Sequence, residues 1–81
     1  MESIRPITIH AFGIVAERLD AKELELTGIH DTDGIIEWIQ TECPTLKDLY
    51  IAIAVNRMVV TQNTPVTAES DIALLPPFSG G

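Results

Sequence analysis

The stretch Asp31-Thr32-Asp33-Gly34-Ile35-Ile36-Glu37-Trp38-Ile39-Gln40-Thr41-Glu42-Cys43-Pro44 contains both a start and a stop for a helix. The opening Asp-Thr-Asp-Gly cluster can accept hydrogen bonds from first-turn N–H groups that find no partner inside a helix. Asp31, Asp33 and Glu37 also stand near the positive end of the helix dipole. Ile35, Ile36 and Ile39 follow at helical spacing with Trp38 beside them, which predicts an apolar face laid against a sheet. Pro44 lacks an N–H and biases Cys43 away from helical angles, ending the helix after about ten residues. Ile36, and Val55 from the strand that follows, are read as core positions where truncation to Ala costs several kcal/mol.

Outward from this helix the chain reads as strands on both sides. Residues 4–15 are rich in β-branched side chains, and Ile7, Ile9 and Ala11 alternate with Thr8, His10 and Phe12. Pro6 is tolerable near the beginning or edge of a strand. Residues 19–22 read as a turn and Glu23-Leu24-Glu25-Leu26-Thr27 alternates again, so the first pair is expected to be a β-hairpin. On the other side, residues 50–55 form a continuous apolar run, expected to be a strand buried on both faces. Asn56-Arg57 makes a turn, Met58-Val59-Val60-Thr61 returns as a strand, and Gln62-Asn63-Thr64-Pro65 is loop. Ile72-Ala73-Leu74-Leu75 is the last strand, closed by Pro76-Pro77.

Strand, strand, helix, strand, strand, strand is an α+β arrangement, a mixed sheet with one main helix packed on one face. In so short a chain this order predicts the ubiquitin-like β-grasp, with the last strand lying centrally beside the first. Residues 1–75 form the β-grasp domain and residues 76–81 an extended tail.

Composition narrows the function. The 81 residues are 46% hydrophobic and 21% charged, which suits one small folded domain and is too apolar for disorder. Twelve acidic residues against five basic ones give a net charge of −7, which repels nucleic acid and anionic membrane surfaces. The single cysteine, Cys43, cannot form an internal disulfide. The apolar run over residues 49–55 is far shorter than the roughly 20 residues of a membrane helix. Met1-Glu2-Ser3 lacks the basic start of a signal peptide, so a reducing compartment, the cytoplasm, is expected. A chain of this size has little room for both a core and an enclosed active site, which favours a part in a partner's chemistry over an enzyme. His30 with Asp31 and Asp33 has metal-ligand chemistry, but a solvated helix cap accounts for the three residues, and no metal site is expected. Cys43 stands beside Glu42, whose charge raises a thiol pKa, and is read as structural.

The sequence closes with Pro76-Pro77-Phe78-Ser79-Gly80-Gly81. Two prolines remove two donors from the sheet ladder and fix φ, so the segment should leave the sheet extended. Stretched out, six residues reach about 20 Å. The end carries no charged side chain, and Gly80 and Gly81 can enter a channel that admits only bare backbone. A terminal carboxylate becomes electrophilic once adenylated, and on glycine its carbonyl is open to attack by sulfur or an amine. Gly-Gly alone is weak evidence; joined to Pro-Pro and a small β-rich domain it becomes strong.

Several stretches resemble the small subunit of molybdopterin synthase, the MoaD family. They are Phe12-Gly13 with the residues to Glu17, Cys43-Pro44-Thr45-Leu46, Ala54-Val55-Asn56-Arg57-Met58-Val59-Val60, Pro65-Val66-Thr67, and above all the closing Leu-Leu-Pro-Pro-Phe-Ser-Gly-Gly. The resemblance implies that the Gly81 carboxylate is adenylated by a ubiquitin-activating-like enzyme that uses ATP, and is then converted to a thiocarboxylate with sulfur from a donor protein. It further implies that the tail enters the synthase large subunit, in a heterotetramer, where Gly81 gives sulfur to cyclic pyranopterin monophosphate in molybdenum cofactor biosynthesis. The catalytic pocket and any bound cofactor would belong to partners. Leu74, Leu75, Pro76, Pro77, Phe78, Ser79 and Gly80 match the partner-binding positions. Many members carry aromatics in place of Leu74-Leu75 and a glycine in the turn at Ala68-Glu69-Ser70. Other readings are a thiamine or tRNA-thiolation sulfur carrier, a protein modifier joined through Gly81, and a binding module with no tail chemistry.

Overall fold

The computed structural model describes residues 5–76. Five strands, β1 (Ile7–Ala11), β2 (Glu23–Leu26), β3 (Ala52–Val55), β4 (Met58–Val60) and β5 (Ile72–Leu75), form one sheet in the order β2-β1-β5-β3-β4. β5 runs parallel to β1 and antiparallel to β3, while the outer pairs β1–β2 and β3–β4 are antiparallel. The long helix α2 (Thr32–Glu42) packs on one face, and the short helix α1 (Gly13–Leu19) and a 3₁₀ turn (Pro44–Leu46) close the end of the core. This is the expected α+β fold, with the last strand in the middle.

The core follows from strand alternation. Ile7, Ile9 and Ala11 of β1, Ile72 and Leu74 of β5, and Ile53 and Val55 of β3 point to one side, where Val15, Ile35, Ile39 and Leu46 meet them. Ile53 and Val55 are buried in the core, and the small Ala54 on the opposite face is buried as well, although the helices pack on one face of the sheet only.

α2 begins as its sequence demands. Asp31 is extended, and its Oδ1 accepts the Gly34 N–H at 2.9 Å. The loop before β5 holds the same turn from outside: Asn63 Oδ1 accepts the Asp33 N–H, Asn63 Nδ2 donates to Asp31 Oδ2, and Thr64 N–H donates to Thr32 Oγ1. Thr32 is the one buried polar side chain among the described residues, and these bonds satisfy it. At the β3–β4 turn Asn56 and Arg57 both have positive φ, 51° and 71°, the left-handed pair that a tight hairpin needs.

Three expectations are corrected. The first strand stops at Ala11, and residues 13–19 are helical, so β1 and β2 pair without forming a simple hairpin. The β-branched Ile14-Val15 reads locally as strand, but Gly13, at φ 57°, turns the chain out of the sheet and Val15 becomes fully buried from a helix. Arg18 fixes that helix by donating to Thr45 O at 2.9 Å and Asp48 at 3.0 Å. Secondly, Tyr50 is 86% exposed and lies outside β3, because the chain is still leaving the 3₁₀ turn there. Thirdly, Ile36 is 43% exposed: Ile35 and Ile39 hold the core-facing positions, and Ile36 lies one residue round the helix.

Candidate functional site

β5 carries the site because it is the strand from which the sequence continues into Pro76-Pro77-Phe78-Ser79-Gly80-Gly81. Its position between β1 and β3 gives the tail a base held on both sides. The ladder reaches the base itself, with Leu75 opposite Ala52 and the Phe12 N–H donating to Leu74 O at 3.2 Å. Pro76 follows at once and can donate nothing, which ends the ladder there.

The two leucines before the prolines face opposite ways. Leu74 is 0% exposed and belongs to the core under α2, so its expected place in a partner contact is corrected: as a core side chain it has no surface to offer. Leu75 is half-buried on the other face of the sheet, and Pro76 is half-buried beside Gly13. Pro77, Phe78, Ser79, Gly80 and Gly81 lie outside the described residues, as does Ile4 at the start of the expected first strand.

The face away from α2 has two halves. Register puts Ala73 between His10 and Ala54, Leu75 beside Ala52, and Val59 beside Ala54, which makes a small apolar strip leading to the tail. Thr8, His10, Glu23 and Glu25 make the polar half, where His10 Nδ1 lies 3.8 Å from Glu23 Oε1. An apolar strip edged by carboxylates fits a partner surface with an apolar centre and a basic rim.

Ionisable groups elsewhere have structural explanations. The Gly34 N–H and the Asn63 amide hold Asp31 below the usual carboxylate range, so it serves the helix cap. The Arg5 guanidinium holds Glu69 below that range as well. Burial, and then the Glu42 charge, push the Cys43 thiol up, away from the thiolate that a sulfur relay would need. Among the described residues no group of three His, Cys, Asp or Glu side chains could hold a metal. An open groove of about 500 Å³ between α2 and the β3–β4 hairpin has Asp33, Lys47 and Tyr50 as its ionisable lining among the described residues, with no nucleophile paired to a base. No helix among the described residues is long and apolar enough to cross a membrane. The residue that sequence reasoning left without a role is Gly13, whose contact with Pro76 only the fold brings about.

A β-grasp sheet whose central strand leads into Pro-Pro-Phe-Ser-Gly-Gly defines a class, the small ubiquitin-like carriers and modifiers. Residues 9–81 match the ThiS family, and the chain belongs to it. By sequence alone no curated protein matches. The fold is shared with the small archaeal modifier protein 1 of Methanosarcina acetivorans at 21% identity and a TM-score of 0.71, over 99% of this chain and 100% of that one. A Pyrococcus furiosus protein assigned as molybdopterin converting factor subunit 1 is 18% identical with a TM-score of 0.75, over 91% and 99% of the two chains. The complex of subunits 1 and 2 of the molybdopterin-converting factor from Helicobacter pylori contains a chain 24% identical with a TM-score of 0.68, over 94% and 99%.

Proposed function

We propose that the chain is the sulfur-carrier subunit of a molybdopterin synthase. The observation that carries this reading is the continuation of a central, doubly paired strand into Pro-Pro-Phe-Ser-Gly-Gly. The Gly81 carboxylate attacks the α-phosphorus of ATP on an adenylating enzyme, pyrophosphate leaves, and the acyl-adenylate forms. A persulfide on a donor protein then attacks the carbonyl and AMP departs, and a thiol reductant cleaves the sulfur–sulfur bond of the resulting acyl disulfide, leaving a thiocarboxylate on Gly81 and a thiol on the donor. The carrier docks on a large subunit through Leu75, Pro76 and the tail residues Pro77, Phe78, Ser79 and Gly80, and Gly81 gives its sulfur to cyclic pyranopterin monophosphate. The carrier binds no cofactor of its own, and ATP is consumed by the adenylating partner. The Helicobacter pylori complex of subunits 1 and 2 supports a large-subunit partner, and the family resemblance implies a heterotetramer. The likeness to an archaeal modifier protein supports a second reading, in which the activated Gly81 is joined to lysines of other proteins.

Intact-mass measurement tests the proposal. Incubation with ATP, an adenylating enzyme and a sulfur donor should exchange one oxygen for sulfur, localised to Gly81 by fragmentation, and addition of a large subunit and the pterin should discharge it. An unchanged mass with a demonstrably active enzyme refutes carrier chemistry. A thiocarboxylate that no large subunit discharges, together with new conjugates on lysines, moves the assignment to a modifier.

A further inference from the structure

Gly13 sits where β1 gives way to α1, with φ at 57°. A Cβ at this position would lie 3.1 Å from Pro76 Cγ, 3.6 Å from Pro76 Cβ and 3.8 Å from Pro76 Cδ. The proline ring therefore rests on the bare backbone of Gly13. The neighbouring Phe12 is extended and does two things at once: its N–H donates to Leu74 O at 3.2 Å, and its carbonyl accepts from Val15 and Ala16 to open α1. The β1–α1 junction thus ends the sheet, starts a helix and bears on the first residue after β5.

We propose that Gly13 is a positioning residue for the tail: having no side chain, it lets Pro76 seat on this junction and sets the direction in which the chain leaves the sheet. The functional consequence rests on the sulfur-carrier reading; the geometry does not. A side chain at Gly13 forces the ring away by a few tenths of an ångström. Imposed over one Cα step of about 3.8 Å, that shift displaces a tip that five further residues can place at most about 17 Å away by on the order of 1 Å. Pro77 has a fixed φ and absorbs little of it. A misplacement of that size in a rigid substrate costs roughly a hundredfold in rate. Gly80 and Gly81 can relax, so the expected loss is smaller, roughly tenfold.

The test uses the full chain as wild type, Gly13→Ala, Pro76→Ala and the double variant. Residual dipolar couplings of the Phe78, Ser79, Gly80 and Gly81 amides report tail direction relative to the sheet, and adenylation kinetics report delivery. Gly13→Ala should change the tail couplings but not those of the strands. It should also lower kcat for adenylation roughly tenfold with KM for the carrier nearly unchanged, because the strip of Ala52, Ala54, Ala73 and Leu75 on the sheet keeps its place. Pro76→Ala removes the ring atom nearest Gly13, so Gly13→Ala should lose little in that background. If positive φ alone matters, the two losses add, since the double variant keeps the strained backbone, and the proposal falls. It falls equally if the tail couplings of Gly13→Ala match the wild type, or if KM rises with kcat unchanged. A wild type that is never adenylated refutes the sulfur-carrier reading instead, and the couplings then decide the role of Gly13.

Discussion

Leu74 and Leu75 are chain neighbours with different duties, because successive side chains of a strand point to opposite faces. Leu74→Ala should cost roughly 2–5 kcal/mol, the range for emptying a packed leucine site, seen as a lower midpoint in urea unfolding. Leu75→Ala should leave that midpoint nearly unchanged and weaken the complex with a large subunit, measured by calorimetry. Ile36→Ala should cost about 1 kcal/mol or less, because much of that side chain is already in water, whereas Val55→Ala should cost more. The alternation of β1 was legible residue by residue, since a period of two separates the faces, whereas in β5 the family resemblance sets Leu74 with Leu75 at the partner contact and the structure buries Leu74. The placing of Ile36 was not: two adjacent isoleucines on a helix both suit the periodic pattern, and only the sheet's position chooses between them.

At the scale of the element, α2 is tied at its first turn to the loop over residues 62–65 through Asp31, Asn63 and Thr64. Asp31 has a folded pKa below its ordinary value, so it adds stability above that ordinary value, and the contribution fades as pH falls through the depressed folded value. Asp31→Asn keeps an acceptor for Gly34 but cannot titrate. Urea unfolding of this variant should therefore show a smaller loss of stability between pH 7 and pH 3 than the wild type shows. Asn63→Ala should lower the melting temperature by releasing both sides of the latch, even though the residue is in a loop. α2 could be read from the sequence because its cap and its stop are local. α1 could not: Ile14-Val15 carries strand propensity, and what overrides it is tertiary, the burial of Val15 and the Arg18 bonds to Thr45 and Asp48.

For the whole molecule, the charge of −7 is spread over a surface on which Arg5, Arg18 and Arg57 already face Glu69, Asp48 and Asp71. The net field toward a partner is therefore acidic. Association with an adenylating enzyme or large subunit that has a basic rim should slow as ionic strength rises, while dissociation changes less, a difference stopped-flow mixing resolves. The order of elements suggested the β-grasp without fixing its strand order, because a hydrophobic pattern marks strands and helices but not which strands pair; the order β2-β1-β5-β3-β4 comes from the structure. The seat of Pro76 on Gly13 was not legible, because sixty-odd residues separate them and neither carries a signal for the other.

The central place of β5 also has a consequence for synthesis. β1 and β3 do not touch as neighbours in the sheet; each needs β5 between them. On the ribosome every other strand emerges first and must wait, as two unjoined ribbons, for the strand that precedes the tail. A nascent chain broken off before Ile72 lacks the staple of its sheet as well as the Pro-Pro-Phe-Ser-Gly-Gly end, which leaves it open to proteases. A chain truncated there should be cleared faster than one cut after Leu75, a difference that pulse-chase of the two truncations would read.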